Sequence, residues 1–168
     1  MKIYLIPGLG ENCNEKQYKK LIQKLNENNH KVIEINPNWY KPLKEQLFKI
    51  DKNSILIGFS YGAIIAYLLG IEQKCNKIIF ASISPIKLFS LKELISDYKE
   101  HMTYENAKIL AKEIKSINID YSKILSKYIT LNGELDTLLK SEKKPDLIVP
   151  NTPHKITDGY INAIIKLL

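Results

Sequence analysis

The sequence predicts an α/β protein with a doubly wound, mostly parallel six-stranded sheet and helices on both faces. Short apolar runs rich in β-branched residues recur along the chain and end at turn residues. Stretches with the periodicity of helices separate these runs. Because the runs are apolar at successive positions, helices should cover both faces of each strand, as in parallel sheets. Strands and helices that alternate in this way favour right-handed crossovers within one sheet.

The chain has 168 residues, of which 45% are hydrophobic. This length fits a single α/β domain over residues 1–168, and such a domain buries about two-thirds of its unfolded surface. The core therefore needs neither a metal ion nor a disulfide. The first predicted strand ends at Pro7-Gly8 and the fifth at Asn132-Gly133. The six predicted strands are 3–6, 31–35, 54–57, 77–81, 128–131 and 146–149.

Four helices are expected between and after these strands. Residues 15–28 carry Tyr18, Leu21, Ile22 and Leu25 on one face, which is an amphipathic stripe. Further helices are expected at 42–50, at 61–71, where small and apolar residues predict a buried helix, and at 157–168.

Residues 86–127 do not fit simple alternation. Helical patterns at 91–101, 104–117 and 121–127 exceed what one crossover requires. The sequence therefore predicts a small helical excursion over the sheet at about 86–127.

The formal charge of +7 comes almost entirely from scattered lysines. Nucleic-acid binders concentrate basic residues on one stripe, whereas the densest run here is the short, interrupted Lys140-Ser141-Glu142-Lys143-Lys144. No nucleic-acid partner is expected, and solvated lysines are the favoured interpretation. A basic rim that attracts an anionic substrate or an acidic carrier protein is the alternative.

Cys13 and Cys75 lie 62 positions apart without metal-ligand spacing, so two reduced thiols and no metal site are expected. No signal peptide is apparent at the N-terminus, and no run reaches the roughly 18 apolar residues of a membrane span. A cytoplasmic protein is the expectation.

The third strand leads into Gly58-Phe59-Ser60-Tyr61-Gly62, followed by an apolar helix. Gly-x-Ser-x-Gly between a strand and a helix is typical of a nucleophile on a strained turn. The flanking glycines let strand and helix approach, and the helix N-terminus directs N–H groups at developing negative charge. An ordinary strand-to-helix turn is the alternative, and the context favours Ser60 as a nucleophile.

The loop Pro7-Gly8-Leu9-Gly10 follows the first strand, at the same edge of the sheet. Its glycines allow the backbone to fold over a nucleophile, and the N–H groups of Leu9 and Tyr61 are the expected oxyanion donors. A glycine turn that merely joins strand to helix is the alternative.

Two further polar residues follow strands. Asp136 comes after the fifth strand, with Glu134 as an alternative acid, and His154 follows the sixth. Of the other histidines, His30 precedes a strand and His101 lies in the helical excursion. The order Ser60, Asp136, His154 is the order of nucleophile, acid and base in one class of catalytic triad.

These motifs together resemble the α/β-hydrolase superfamily, in particular its compact members with little or no lid. The resemblance implies the strand order 2-1-3-4-5-6. The sequence departs from the family pattern in having Pro7-Gly8 where many relatives have His-Gly, and Pro153 where a glycine is frequent. Only about nine residues separate Asp136 from the last predicted strand, which requires a shortened helix there.

The resemblance implies a cofactor-free serine esterase or thioesterase acting on a small-molecule acyl ester or thioester through an acyl-enzyme. Apolar residues of the excursion are candidates for an acyl pocket, although packing between helices is the favoured use of most of them. A non-catalytic binding domain remains an alternative. A second alternative is a hydrolase or acyltransferase directed at an acyl carrier.

Overall fold

The computed structural model describes residues 1–83, 86–137 and 144–168. Within these ranges, six strands form one sheet in the order β2-β1-β3-β4-β5-β6, and every neighbouring pair is parallel. Both the predicted fold class and the strand order are confirmed. The strands are β1 (Lys2–Ile6), β2 (Lys31–Glu34), β3 (Ile55–Phe59), β4 (Lys77–Ala81), β5 (Lys127–Gly133) and β6 (Leu147–Val149).

In the part of the chain that the structure describes, five α-helices connect or follow the strands, each within a few residues of a predicted helix. They are α1 (Lys16–Glu27), α2 (Tyr61–Glu72), α3 (Leu91–Tyr98), α4 (Tyr104–Ser116) and α5 (Asp158–Lys166).

The helix predicted at 42–50 is wrong. Only Leu43–Gln46 forms a short 3₁₀ helix, Leu47 directly after it is extended, and residues 47–50 have no regular secondary structure. Side chains from other elements satisfy the backbone here: Glu113 accepts from the Leu43 N–H, and the Gln73 amide bridges Phe48 O and Ile50 N. Tertiary hydrogen bonds therefore replace the helical ones.

The last helix predicted in the excursion, at 121–127, is also wrong. A 3₁₀ turn covers Tyr121–Lys123, and β5 begins at Lys127. The Leu125 N–H donates to Gly70 O of α2 rather than to a carbonyl of its own turn. Pairing with β4 then sets the start of β5.

The two faces of the sheet carry separate apolar clusters because successive side chains of a strand point to opposite faces. Ile3, Leu5 and Ile57 pack under α1 and α5. Tyr4, Leu56 and Phe80 face α2, which is buried along most of its length. This explains why α2 is apolar nearly all round, whereas α1 is amphipathic.

The helical excursion covers the α2 side of the sheet. Leu94, Tyr98 and Met102 belong to the same buried cluster as α2, together with Leu110 and Ile114 of α4. Leu91 and Tyr104 remain exposed. Packing between helices within this buried cluster is thus the main use of the apolar residues of α3 and α4, which is the use that the sequence analysis favours.

Some predictions lie outside the described residues. These are most of the basic run that begins at Lys140 and the shortened helix expected after Asp136. Within the described ranges, no helix is long and apolar enough to cross a membrane.

Candidate active site

The turn between β3 and α2 has the strained geometry that the sequence predicts. Ser60 has φ 53° and ψ −118°, a left-handed conformation rarely adopted by residues other than glycine. A Cβ atom on Gly58 would lie 2.5 Å from the Gly62 carbonyl oxygen, and one on Gly62 would overlap the carbonyl oxygens of Ile6 and Pro7. The two glycines therefore let α2 approach both β3 and the end of β1.

Ser60 is anchored from the neighbouring strand. Its N–H donates to Ala81 O of β4 at 2.9 Å, and its carbonyl accepts from Ala63 N at 3.1 Å. The sheet reverses its winding direction between β1 and β3, which is where α/β sheets bind ligands. Ser60 thus stands at the switch point of the sheet.

The loop after β1 is held in a tight turn beside Ser60. The Glu11 N–H donates to Gly8 O, and the Glu11 carboxylate accepts from Gly8 N at 3.1 Å and from the Tyr18 hydroxyl at 2.6 Å. Leu9 and Tyr61 line the same cavity as Ser60. Tyr61 is the first residue of α2, so its N–H has no helical carbonyl four residues earlier.

The structure brings Ser60, His154 and Asp136 into one hydrogen-bonded series. His154 Nε2 lies 2.9 Å from Ser60 Oγ, and His154 Nδ1 lies 2.7 Å from Asp136 Oδ2. The Asp136 side chain is fully buried, whereas that of His154 keeps 19% exposure. An imidazole with these partners can accept the serine proton while a carboxylate fixes its tautomer.

Glu134, the alternative acid, has a different partner. Its carboxylate accepts from the Asn151 N–H at 2.9 Å and is exposed. The carboxylate that reaches His154 is that of Asp136. The chain turns back at this point through the bonds from Asp136 N to Gly133 O and from Leu135 N to Thr152 O.

The Asp136 carboxylate has a buried environment built from β4 and α5. The Ser82 hydroxyl donates to Asp136 Oδ2 at 2.8 Å and is also hydrogen-bonded to the Tyr160 hydroxyl. Ser82 and Tyr160 are both fully buried. Burial raises the pKa of the Tyr160 phenol well above its ordinary value.

A cavity of about 380 Å³ opens onto Ser60 and His154. Two sides of its lining have different origins: Leu9 and Glu11 come from the loop after β1, and Phe89 and Leu94 come from the excursion. Asp97 and His101 complete the excursion side. Burial raises the pKa of the Asp97 carboxyl, as does Glu100, whereas His101 and His154 oppose this. The cavity therefore combines apolar walls with acidic groups.

Sequence reasoning missed four groups at this site. Ser82 directly follows β4, so the rule that ligands gather at the ends of strands would have found it. Tyr160 gives no such signal, because an aromatic residue on the buried face of a helix indicates core. Glu11 and Asp97 reach the cavity only through the folding of a loop and of the excursion.

Side chains of the types that bind metals do not gather in the described ranges. No group of three or more His, Cys, Asp or Glu side chains there could hold a metal ion. Cys13 and Cys75 are both buried as free thiols.

Comparison with known proteins adds information on the fold alone. No family model matches the chain, and no curated protein matches its sequence. Solved structures do match. MGS-MChE2, an α/β hydrolase enzyme from the metagenome of sediments from the lagoon of Mar Chica, Morocco, superposes with a TM-score of 0.70 at 19% identity, over 99% of this chain and 88% of that one. This chain has the α/β-hydrolase fold.

Two further structures with this fold are comparably similar. The esterase EaEST from Exiguobacterium antarcticum gives a TM-score of 0.71 at 13% identity, over 99% of this chain and 91% of its own. Est1E from Butyrivibrio proteoclasticus gives 0.69 at 12% identity, over 99% and 84%. The α/β-hydrolase fold thus extends over nearly all of the chain, as the sequence resemblance implies.

Proposed function

We propose that the protein is a serine hydrolase that cleaves a carboxylic ester or thioester through an acyl-enzyme. The observation that carries the proposal is the pair of hydrogen bonds that His154 makes to Ser60 and Asp136 on the wall of a cavity. The occurrence of esterases among the similar solved structures supports a hydrolase in general.

The first chemical step forms the acyl-enzyme. His154 Nε2 takes the Ser60 proton while Oγ attacks the acyl carbon, and the carbonyl π electrons move onto the oxygen. Asp136 holds the Nδ1–H tautomer and stabilises the imidazolium. The N–H groups of Leu9 and Tyr61 are the proposed donors to the oxyanion.

The intermediate then collapses. The C–O or C–S bond to the leaving group breaks, and the imidazolium gives its proton to the departing alcohol or thiol. A water molecule then attacks the acyl-enzyme in the same way. His154 takes a proton from the water as its oxygen adds to the acyl carbon. The bond from Ser60 Oγ to the acyl carbon then breaks, and Oγ takes the proton back from the imidazolium. The products are a carboxylic acid and an alcohol or thiol.

Labelling with a fluorophosphonate probe tests this proposal. We expect the folded wild-type protein to be labelled, Ser60→Ala to abolish labelling, and His154→Ala to slow it by about 10⁴-fold or more. His30→Ala is the matched control because His30 lies before β2, at the opposite edge of the sheet. Labelling that survives Ser60→Ala would contradict the assignment of the nucleophile.

The substrate class needs a second measurement. Nitrophenyl esters of increasing acyl length separate a short-acyl esterase from a lipase-like enzyme. Labelled protein that turns over none of them would favour the carrier-directed hydrolase or acyltransferase, for which the net charge of +7 suits an acidic carrier. Folded wild-type protein that is not labelled would favour the non-catalytic binding domain.

A further inference from the structure

We propose that Ser82 and Tyr160 are positioning residues that hold the Asp136 carboxylate in the orientation His154 requires. The inference rests on the proposed serine-hydrolase function. It adds two buried hydroxyl groups, hydrogen-bonded in series to Asp136, to the three side chains already described.

Ser82 is fixed by its backbone. It directly follows β4, is fully buried, and has a φ of 48°. Such a conformation is strained in a residue other than glycine and persists only where the surroundings impose it. Here the Ser82 N–H donates to Leu131 O of β5 at 2.7 Å. This strained position directs the hydroxyl to Asp136 Oδ2, 2.8 Å away.

The direction of the hydrogen bonds follows from the number of protons. A carboxylate only accepts, and a serine hydroxyl carries a single proton. Since Ser82 donates that proton to Asp136, its bond with the Tyr160 hydroxyl must be one in which Tyr160 donates. Tyr160 of α5 therefore donates to Ser82, and Ser82 donates to the Asp136 carboxylate.

The same carboxylate oxygen serves His154. Asp136 Oδ2 lies 2.7 Å from His154 Nδ1, so Ser82 and His154 converge on one atom. Tyr160 also contacts Phe59 edge to face, with ring centroids 6.0 Å apart, and Phe59 packs on the His154 ring at 5.2 Å. Tyr160 thus supports the acid through Ser82 and the base through Phe59.

The alternative is a merely structural role, in which the two hydroxyl groups only satisfy each other's hydrogen bonds in the core. In that case their removal would not change the reaction rate. Matched substitutions distinguish the two roles. Ser82→Ala is compared with Ser54→Ala, because Ser54 is equally buried and bonds Asp51 O at the far end of β3. Tyr160→Phe is compared with Tyr67→Phe, because the buried Tyr67 hydroxyl bonds Asn118 O on the other side of the sheet.

The measurement is the rate of fluorophosphonate labelling at saturation, together with the half-saturating probe concentration and Tm. We expect Ser82→Ala and Tyr160→Phe to lower the saturating rate by about tenfold or more, because a hydrogen bond to a charged group is lost or loosened. Half-saturation should change by less than about twofold. The two controls should label at the wild-type rate. If Ser82→Ala does not fold, Ser82→Gly removes the hydroxyl and relieves the left-handed strain.

A double-mutant cycle with Asp136→Ala tests whether Ser82 acts through the acid. In that background, Ser82→Ala and Tyr160→Phe should have no further effect on the labelling rate. Wild-type rates in folded single variants, or effects that persist undiminished without Asp136, would overturn the inference. Absence of labelling in the folded wild-type protein would instead overturn the proposed function, and this inference with it.

Discussion

At the scale of single residues, three residues with strained backbone lie just after the carboxyl ends of strands. Ser60 follows β3, Ser82 follows β4 and Asn151 follows β6 by two residues, and all three have φ near 50°. Asparagine tolerates this conformation better than serine. The two serines carry the larger cost, and they are the residues that present hydroxyl groups to His154 and Asp136.

Gly62→Ala should be far more damaging than Gly70→Ala, although both lie in α2. The added methyl at Gly62 would meet the carbonyl oxygens of Ile6 and Pro7, which are backbone, whereas at Gly70 it would meet the end of the Ile78 side chain, which can rotate. We expect Gly62→Ala to lower the free energy of unfolding by about 3 kcal/mol or more.

The gain in helix propensity from alanine, about 1 kcal/mol, should offset most of the cost at Gly70. Urea denaturation of the two variants checks this. Equal losses in free energy of unfolding would show that α2 does not sit against the end of β1 as closely as the structure has it.

At the scale of elements, α3 links the stability of the excursion to the cavity. Ser90 and Glu93 form a reciprocal capping box at its N-terminus, with bonds of 3.2 and 2.7 Å. Glu93, Leu94 and Asp97 of the same helix line the cavity. Fraying of α3 should therefore disturb substrate binding more than the chemistry at Ser60.

Ser90→Ala should destabilise the protein by about 1 kcal/mol, the usual cost of a lost N-cap. Amide hydrogen exchange should accelerate within α3, and KM for an ester substrate should rise while kcat changes little. Thr103→Ala is the control, because Thr103 caps α4 by accepting from Asn106 N, and no α4 residue lines the cavity. A similar rise in KM in both variants would contradict a specific role for α3.

At the scale of the whole molecule, burial raises the pKa values of several thiol and phenol groups. Burial raises the pKa of Cys13 from its ordinary 9.0 to about 12, aided by the Glu34 charge. It also raises the pKa values of Tyr61 and Tyr121 to about 12. The folded protein therefore keeps protons that the unfolded chain releases between pH 9 and 12.

This difference predicts a loss of stability in alkaline solution. Because the unfolded state binds fewer protons in this window, the free energy of unfolding falls as the pH rises, by at most about 1.4 kcal/mol per pH unit for each group. Denaturant unfolding at several pH values between 8 and 11 measures the slope.

Cys13→Ala provides the comparison, because it removes only the thiol. Its slope should be shallower than that of the wild-type protein. Identical slopes would show that Cys13 does not contribute to the alkaline loss of stability.

The sequence predicts an element well where residues close in the chain determine it, and poorly where residues distant in the chain do. The elements α1 and α2 and the strands β1 and β4 were predicted well, because periodicity and turn residues act locally. The segment 42–50 has the same helical pattern, but Gln73 and Glu113 bond its backbone from distant parts of the chain. No local signal encodes those partners.

The sequence by itself determined the alternation of strands and helices, the strained turn at Ser60, and the placement of Asp136 and His154 after strands. These follow from backbone sterics and from apolar patterning, which are properties of neighbouring residues. Only the tertiary structure decided that Asp136 rather than Glu134 reaches His154, and that Ser82 and Tyr160 stand behind it. The physical reason is that a buried carboxylate is stabilised by donors from β4 and α5, whose proximity exists only after the sheet has formed.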